Sequence, residues 1–359
     1  MVSVMLKPAS SLCNLKCEYC FYASLSAERG EYSKGQMSLG TAENVVKSAL
    51  SLSNGTGVVF TFQGGEPMLR GLEFYDEFVR ICERENKNGA KIQFCLQTNG
   101  TLIDDEWCLF LKKHGFLVGV SLDGNEEQNA YRVYPNGKES FGDVVGVIKL
   151  LQKHGVTFNV LSVVTKRLAN SVRENYRLMK QMGVYNFQYI NCLKPLDFKT
   201  GDYDESLYMT VTDYYNFLSR AFRLYYNDNM RGVNVSVRSF DNYVLLFSGR
   251  GAEQCGMNGC CSAQFVVEGD GTVYPCDFYC TDEFELGNIN EKSFLEMSKS
   301  ATFLNFIKSG YDNESCEGCE AFRICRGGGC KREKLCNDFC GAYKKFYEEN
   351  YSNFVRLTS

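Results

Sequence analysis

Between Val4 and Leu193 the chain alternates short β-branched or aromatic runs with stretches of helical spacing, a rhythm that a parallel sheet with crossover helices satisfies. The runs predict strands at Val4–Lys7, Val58–Phe62, Lys91–Gln97, Leu117–Leu122, Thr157–Val164 and Phe187–Leu193. Amphipathic stretches lie between them near Thr41–Ser51, Leu72–Asn86, Asp104–Lys113, Gly142–Lys153 and Ser171–Met182. Such units make an α/β sheet, open or curled into a partial barrel, with its chemistry at the C-terminal strand ends. The pieces FLKKHGFLVGVSLDG and LLQKHGVTFNVLSVVT repeat one helix, glycine and strand unit. A further helix is predicted near Leu207–Asn227, after which Gly and Cys rise and the rhythm stops. The expected division is therefore 1–232 and 233–359. The second part shows the hairpin AQFVVEGDGTVYPCDF, with Asp270-Gly271 in its turn, and a closing helix near Gly341–Leu357 that is expected to dock back on the first.

The 359 residues, 44% hydrophobic with 5 prolines, have the composition of a globular protein large enough for a sizeable core. A balance of 39 basic against 43 acidic residues gives no electrostatic footprint for nucleic acid or an anionic membrane. No charged start leads into an apolar stretch, and no window of about 20 apolar residues occurs, so a cytoplasmic chain without signal peptide or membrane span is expected. The only histidines, His114 and His154, each precede a glycine at a predicted helix end, where they favour the dipole. His-based zinc hydrolysis and Ser-His-Asp catalysis are thereby excluded. The 18 cysteines are too dilute for a small disulfide-stapled scaffold, which turns the reading to metal chemistry.

Cys13, Cys17 and Cys20 form C-x3-C-x2-C directly after the first strand, a pattern expected by chance roughly 0.05 times in a chain of this composition. Three thiolates can hold three irons of a 4Fe-4S cluster and leave the fourth open, whereas a structural zinc wants a fourth protein ligand. With this triplet, with FQGGEP (Phe62–Pro67) ending strand two and with VSLDG ending strand four, the sequence resembles the radical S-adenosylmethionine (SAM) superfamily. The resemblance implies a partial (β/α)6 barrel in which the fourth iron binds the amino and carboxylate groups of SAM. It further implies that Gly65, beside Gly64, lets backbone approach the SAM amino group, that Ser121 bonds the carboxylate or ribose, and that Arg132 pairs with the carboxylate. Tyr19 and Leu193 match positions that meet SAM through backbone and apolar adenine packing.

Downstream stand Cys255, Cys261 and Cys276, then CEGCEAFRICRGGGC with Cys316, Cys319, Cys325 and Cys330, and finally Cys340. Eight thiolates divide into two complete sites of four, and the hairpin returns Cys276 toward the end where Cys261 begins. Two zinc ribbons are the alternative. This region resembles the SPASM extension of peptide-modifying radical SAM enzymes, and LKPASSLCNLKCEYCFY, LQTNGTLID, INCLKPL, CGMNGCCSAQFVVEGDGTVYPCDFY and LGNI sharpen the match to anaerobic sulfatase-maturating enzymes. The resemblance implies one auxiliary 4Fe-4S cluster on Cys255, Cys261, Cys276 and Cys330, a second on Cys316, Cys319, Cys325 and Cys340, and so three clusters with SAM. The chain departs from the family where Cys260 adjoins Cys261 and where CRGGGC carries one extra Gly; Cys280 and Cys336 have no assigned role.

The reaction so implied oxidises a Cys or Ser of a target sulfatase polypeptide to Cα-formylglycine, with a ferredoxin or flavodoxin as electron donor. Asp277, next to Cys276, resembles the catalytic base, against its ordinary role as a turn residue. A carboxylate taking a proton from a thiol works uphill by roughly 6 kcal/mol, so a raised carboxylate pKa or a radical-acidified thiol must supply the difference. Tyr22 and Gln63 are expected at the peptide in the same mouth. The alternatives are another radical peptide modification, thioether formation or epimerisation, with a cysteine such as Cys280 replacing Asp277, and a non-catalytic electron-transfer or zinc-structural protein.

Overall fold

The computed structural model describes residues 1–29, 31–195, 203–308, 316–336 and 339–358. Among them the strands are β1 (Val2–Leu6), β2 (Val58–Phe62), β3 (Ile92–Thr98), β4 (Leu117–Ser121), β5 (Phe158–Val164), β6 (Asn186–Asn191), β7 (Ser236–Val237), β8 (Phe265–Val267), β9 (Thr272–Tyr274) and β10 (Gly287–Asn288). The chain divides into two compact units, each built from separate stretches of sequence. The first comprises Met1–Ser121, Arg132–Phe158 and Ala263–Ile307, and the second Leu122–Tyr131, Asn159–Ser262 and Lys308–Ser359.

In the first unit the strand order is β10-β9-β8-β1-β2-β3-β4. Strands β1 to β4 are parallel, with Leu6 opposite Phe62 and Phe62 opposite Leu96. The predicted hairpin forms, yet its first strand does not stay with the later cysteines: β8 pairs in parallel with β1, Val4 opposite Phe265, and β9 returns antiparallel. Gly271 makes the turn at φ 91°, where a side chain would be strained. Local chemistry sets the helix ends. Ser38 accepts from the amide of Thr41 to start Leu39–Ser53, and Asp104 accepts from that of Trp107 to start Asp105–Lys113. His114 caps that second helix, and His154 closes Phe141–His154 before Gly155 in the left-handed region. Between sheet and helices Phe62 is fully buried, with ring centroids at 4.8 Å to Tyr75 and 5.0 Å to Phe78.

In the second unit β5, β6 and β7 are parallel, with Val160 opposite Phe187 and Phe187 opposite Val237. The helix Val211–Met230 packs on the closing helix Cys340–Thr358 through Phe222, which meets Phe346 at 5.2 Å and Phe354 at 4.8 Å. A helix at Arg238–Phe247, absent from the sequence reading, follows β7 directly. No helix among the described residues is long and apolar enough to cross a membrane.

Because Phe62 fills space between sheet and helices, Phe62→Ala should cost about 3–5 kcal/mol of stability. Urea unfolding of the variant beside the native chain checks this.

Candidate functional site

At the C-terminal ends of β1, β2 and β3, two loops meet backbone to backbone. The amide of Gly65 donates to the Ser10 carbonyl at 2.8 Å, and that of Glu66 to the Leu12 carbonyl at 2.7 Å. A Cβ on Gly65 would stand 2.1 Å from the Leu12 oxygen, so only glycine allows the approach. The Gly65 N–H is thereby spent on Ser10. Glu66 is fully buried and accepts from the amides of Met68 (3.0 Å) and Asn99 (2.8 Å) and the hydroxyl of Thr98 (2.9 Å). Burial pushes its pKa up to about 7 against those bonds. The Asn99 side chain donates to Asn14 Oδ1 at 2.8 Å and toward Cys13 Sγ at 3.8 Å, and the Leu15 amide donates to Cys13 Sγ at 3.3 Å.

Cys13, Cys17 and Cys20 are half-buried on this loop. Burial pushes the Cys13 thiol up to about 12, opposed by the Leu15 N–H and reinforced by the charges of Glu66, Cys17 and Cys20. Cys13 thus stands within reach of the charges of Cys17 and Cys20, and three thiols on one loop are a donor set that fits a cationic iron cluster. Tyr19 and Arg132 come together near it, both buried, with Arg132 donating to the Tyr19 hydroxyl at 3.1 Å. Arg132 is thus no surface arginine. Ser121 ends β4 and accepts from Gln97 at 3.0 Å. Leu193 is buried after β6, in the second unit.

Asp277 follows Cys276 after β9 and is buried in the first unit. Its Oδ1 pairs with Lys7 Nζ at 2.9 Å, while its Oδ2 accepts from the Tyr22 hydroxyl at 2.5 Å and Gln63 Nε2 at 3.2 Å. Gln63 also donates to the Tyr22 oxygen at 2.8 Å. The carboxylate therefore caps no turn, and Tyr22 and Gln63, expected at the peptide, reach Asp277. Behind it Lys7 Nζ lies 3.4 Å from Glu268 Oε1 and 3.2 Å from Cys280 Sγ. Glu268 in turn accepts from Arg29 at 2.7 Å and the Ser10 hydroxyl at 2.7 Å. Burial pushes the Cys280 thiol up to about 12, with Lys7 working against it. Lys7, Glu268, Arg29, Glu66 and Asn99 are not among the site residues expected from sequence; GGEP and QTNG carry a signal for Glu66 and Asn99, Lys7 and Glu268 lie inside LKPASSLC and VVEGDG without a mark of their own, and nothing marks Arg29.

In the second unit Cys330 and Cys255 interact, and a Cβ on Gly256 would come 2.5 Å from that of Cys330. Cys325 interacts with Cys316 and Cys319 and takes N–H groups from Gly327 and Gly328. Arg326 and the three following glycines all have positive φ, the conformation the extra-glycine run permits. Cys261 is half-buried, Cys260 exposed, and Cys340 starts the closing helix. Within this unit, then, Cys255 lies near Cys330, and Cys325 near Cys316 and Cys319.

The profile of the Radical SAM superfamily matches residues 8–178, and that of SPASM, an iron-sulfur cluster-binding domain, matches 259–320. Fold and site define the class: a radical SAM enzyme of the α/β partial-barrel type with a SPASM extension. A cysteine-type anaerobic sulfatase-maturating enzyme of Clostridium perfringens is 41% identical, covering 100% of this chain and 98% of its own. A serine-type enzyme of Bacteroides thetaiotaomicron is 29% identical over 98% and 91%. The solved structure of native anSMEcpe with bound AdoMet superposes at a TM-score of 0.94, with 40% identity over 100% and 99% of the two chains. This chain belongs to the anaerobic sulfatase-maturating enzymes.

Gly65→Ala should lower stability by about 1–3 kcal/mol, the range for forced overpacking, and weaken SAM binding. Gly142→Ala, where a helical Cβ meets open space, should leave both intact or slightly improved. Thermal unfolding and equilibrium dialysis of SAM compare the two.

Proposed function

We propose that this enzyme oxidises a cysteine side chain of a target sulfatase to Cα-formylglycine. The observation that carries the reading is the Asp277 carboxylate, held by Tyr22 and Gln63 at the same strand ends as the cysteine loop. Greater likeness to a cysteine-type relative, 41% against 29% for a serine-type one, supports a thiol substrate. The solved relative named for its bound Cp18Cys peptide, at a TM-score of 0.92, supports a peptide in this mouth.

Cys13, Cys17 and Cys20 would hold the SAM-binding cluster, with Gly65, Ser121, Arg132, Tyr19 and Leu193 around SAM. Cys255, Cys261, Cys276 and Cys330 would hold one auxiliary cluster, and Cys316, Cys319, Cys325 and Cys340 the other. When bound, these groups supply the 5′-deoxyadenosyl radical that takes a hydrogen from the substrate β-carbon, and the route by which the second electron leaves. The chain's own part is to seat the peptide and remove one proton. Asp277 takes it from the thiol at Oδ2, where Tyr22 and Gln63 fix the oxygen. Functionally, 1–232 forms the radical SAM core and 233–359 the SPASM domain. The reading includes a small electron-donor protein of ferredoxin or flavodoxin type and a cytoplasmic setting.

Anaerobic reconstitution should give three 4Fe-4S clusters, about 12 irons per chain. Changing Cys13, Cys17 and Cys20 together to Ala should leave roughly two thirds of that iron and abolish SAM cleavage. About four irons in the native chain, or deoxyadenosine from the triple variant, would count against the assignment.

Asp277→Asn keeps the shape and removes the proton acceptor. With sulfatase-derived peptide, deoxyadenosine should still form while formylglycine falls by about two orders of magnitude. Both products are read by mass spectrometry in one anaerobic assay, with iron content as the folding check.

A further inference from the structure

Lys7 directly follows β1, its amide held by the Val267 carbonyl at 2.8 Å, and the parallel pairing of β1 with β8 sets it level with Glu268. Its side chain is 2% exposed, and those of Arg29 and Glu268 are 2% and 0%. A lysine head normally escapes to water, and one kept inside is held by partners. The partners here form an ordered series. Arg29 and the Ser10 hydroxyl fix Glu268, Glu268 and the Cys280 sulfur flank the Lys7 ammonium, and that ammonium meets one oxygen of Asp277. The other oxygen of Asp277 belongs to Tyr22 and Gln63. A carboxylate gripped by different donors at its two oxygens cannot rotate about its χ2 axis. The grip on Oδ1 comes from the one group in the series that reaches Asp277 from behind. Burial works against the charge of Lys7, but Asp277, Cys280 and Glu268 outweigh it and keep the amine protonated.

We propose that Lys7 is a positioning residue for formylglycine formation, holding Asp277 so that Oδ2 faces the substrate thiol, with Glu268 and Arg29 holding Lys7. The proposal rests on the reading of Asp277 as base. The step itself is unchanged: the thiol S–H bond breaks, its proton goes to Asp277 Oδ2, and Lys7 gains and loses nothing. What Lys7 supplies is orientation, so its loss uncouples radical formation from product.

The reconstituted holoenzyme carries the test, as native, Lys7→Met, Lys7→Arg, Asp277→Asn and the Lys7→Met/Asp277→Asn double variant. Formylglycine formed per deoxyadenosine is the readout, with kcat and KM for the peptide. Lys7→Met should lower that ratio about tenfold through kcat, leaving KM and iron content in place, and Lys7→Arg should recover most of it. The double variant should be no worse than Asp277→Asn alone, since without the base its orientation no longer matters. A normal ratio in Lys7→Met, or losses that multiply in the double variant, would overturn the proposal while a crippled Asp277→Asn keeps Asp277 as base. A near-normal Asp277→Asn would overturn both readings together. Should Lys7→Met fail to fold, Glu268→Gln decides: it keeps the shape but frees Lys7 from its anchor, so the ratio should fall about threefold or more, and an unchanged ratio sinks the idea.

Discussion

The amide of Gly65 reaches the carbonyl of Ser10, and that of Glu66 the carbonyl of Leu12, because position 65 has no Cβ to hold the two loops apart. Two bonds between backbones leave no torsional freedom at side chains, so the cysteine loop takes its position from β2 and not from its own short turns. Glu66 extends the same fastening to β3 through the amide of Asn99, whose side chain then turns toward Cys13. Three parallel strands in register thus deliver one thiol-bearing loop. The arrangement needs no metal to explain its backbone.

Behind that loop the electrostatics close on themselves. Lys7 and Arg29 face Asp277 and Glu268 in a buried group of two cations and two carboxylates. Glu268 is held below the usual carboxylate range: burial pushes it up, but Lys7 and Arg29 outweigh burial. A buried charge left without its partner is strongly destabilising, so each member depends on the others remaining. An acceptor that takes up a proton here adds a positive charge to a set that was neutral. The Asp277 carboxylate is therefore an element of a balanced set, and its behaviour belongs to the whole of it.

Much of this was legible beforehand. The six predicted strands fall within a few residues of β1 to β6, because alternating β-branched runs and helical spacing survive in the packed state. Among the site residues, GGEP and the cysteine triplet were visible because chemistry fixes their spacing. The helix Arg238–Phe247 is hidden in the sequence by the glycines and cysteines just beyond it, which give that stretch a loop-rich texture. The pairing of β8 with β1 was missed for a different reason: three residues in a hairpin carry no mark of a distant partner. Lys7 and Glu268 are the sharpest case. A lysine at a strand end and a glutamate before a turn look solvated in any sequence, and only the register that places them 3.4 Å apart shows otherwise.

That same register bears on how the chain is made. β1 is synthesised before its partner β8, which lies some 260 residues later, as do Glu268 and Asp277. At about 5–20 residues per second, that interval is on the order of tens of seconds. Throughout it one edge of β1 stays unpaired, the kind of edge that invites pairing with other chains. Until then Lys7 lacks Glu268, Cys280 and Asp277, the partners that enclose it, and its charge stays with water. A lysine whose side chain ends 2% exposed in the fold thus begins as a solvated charge on the nascent chain.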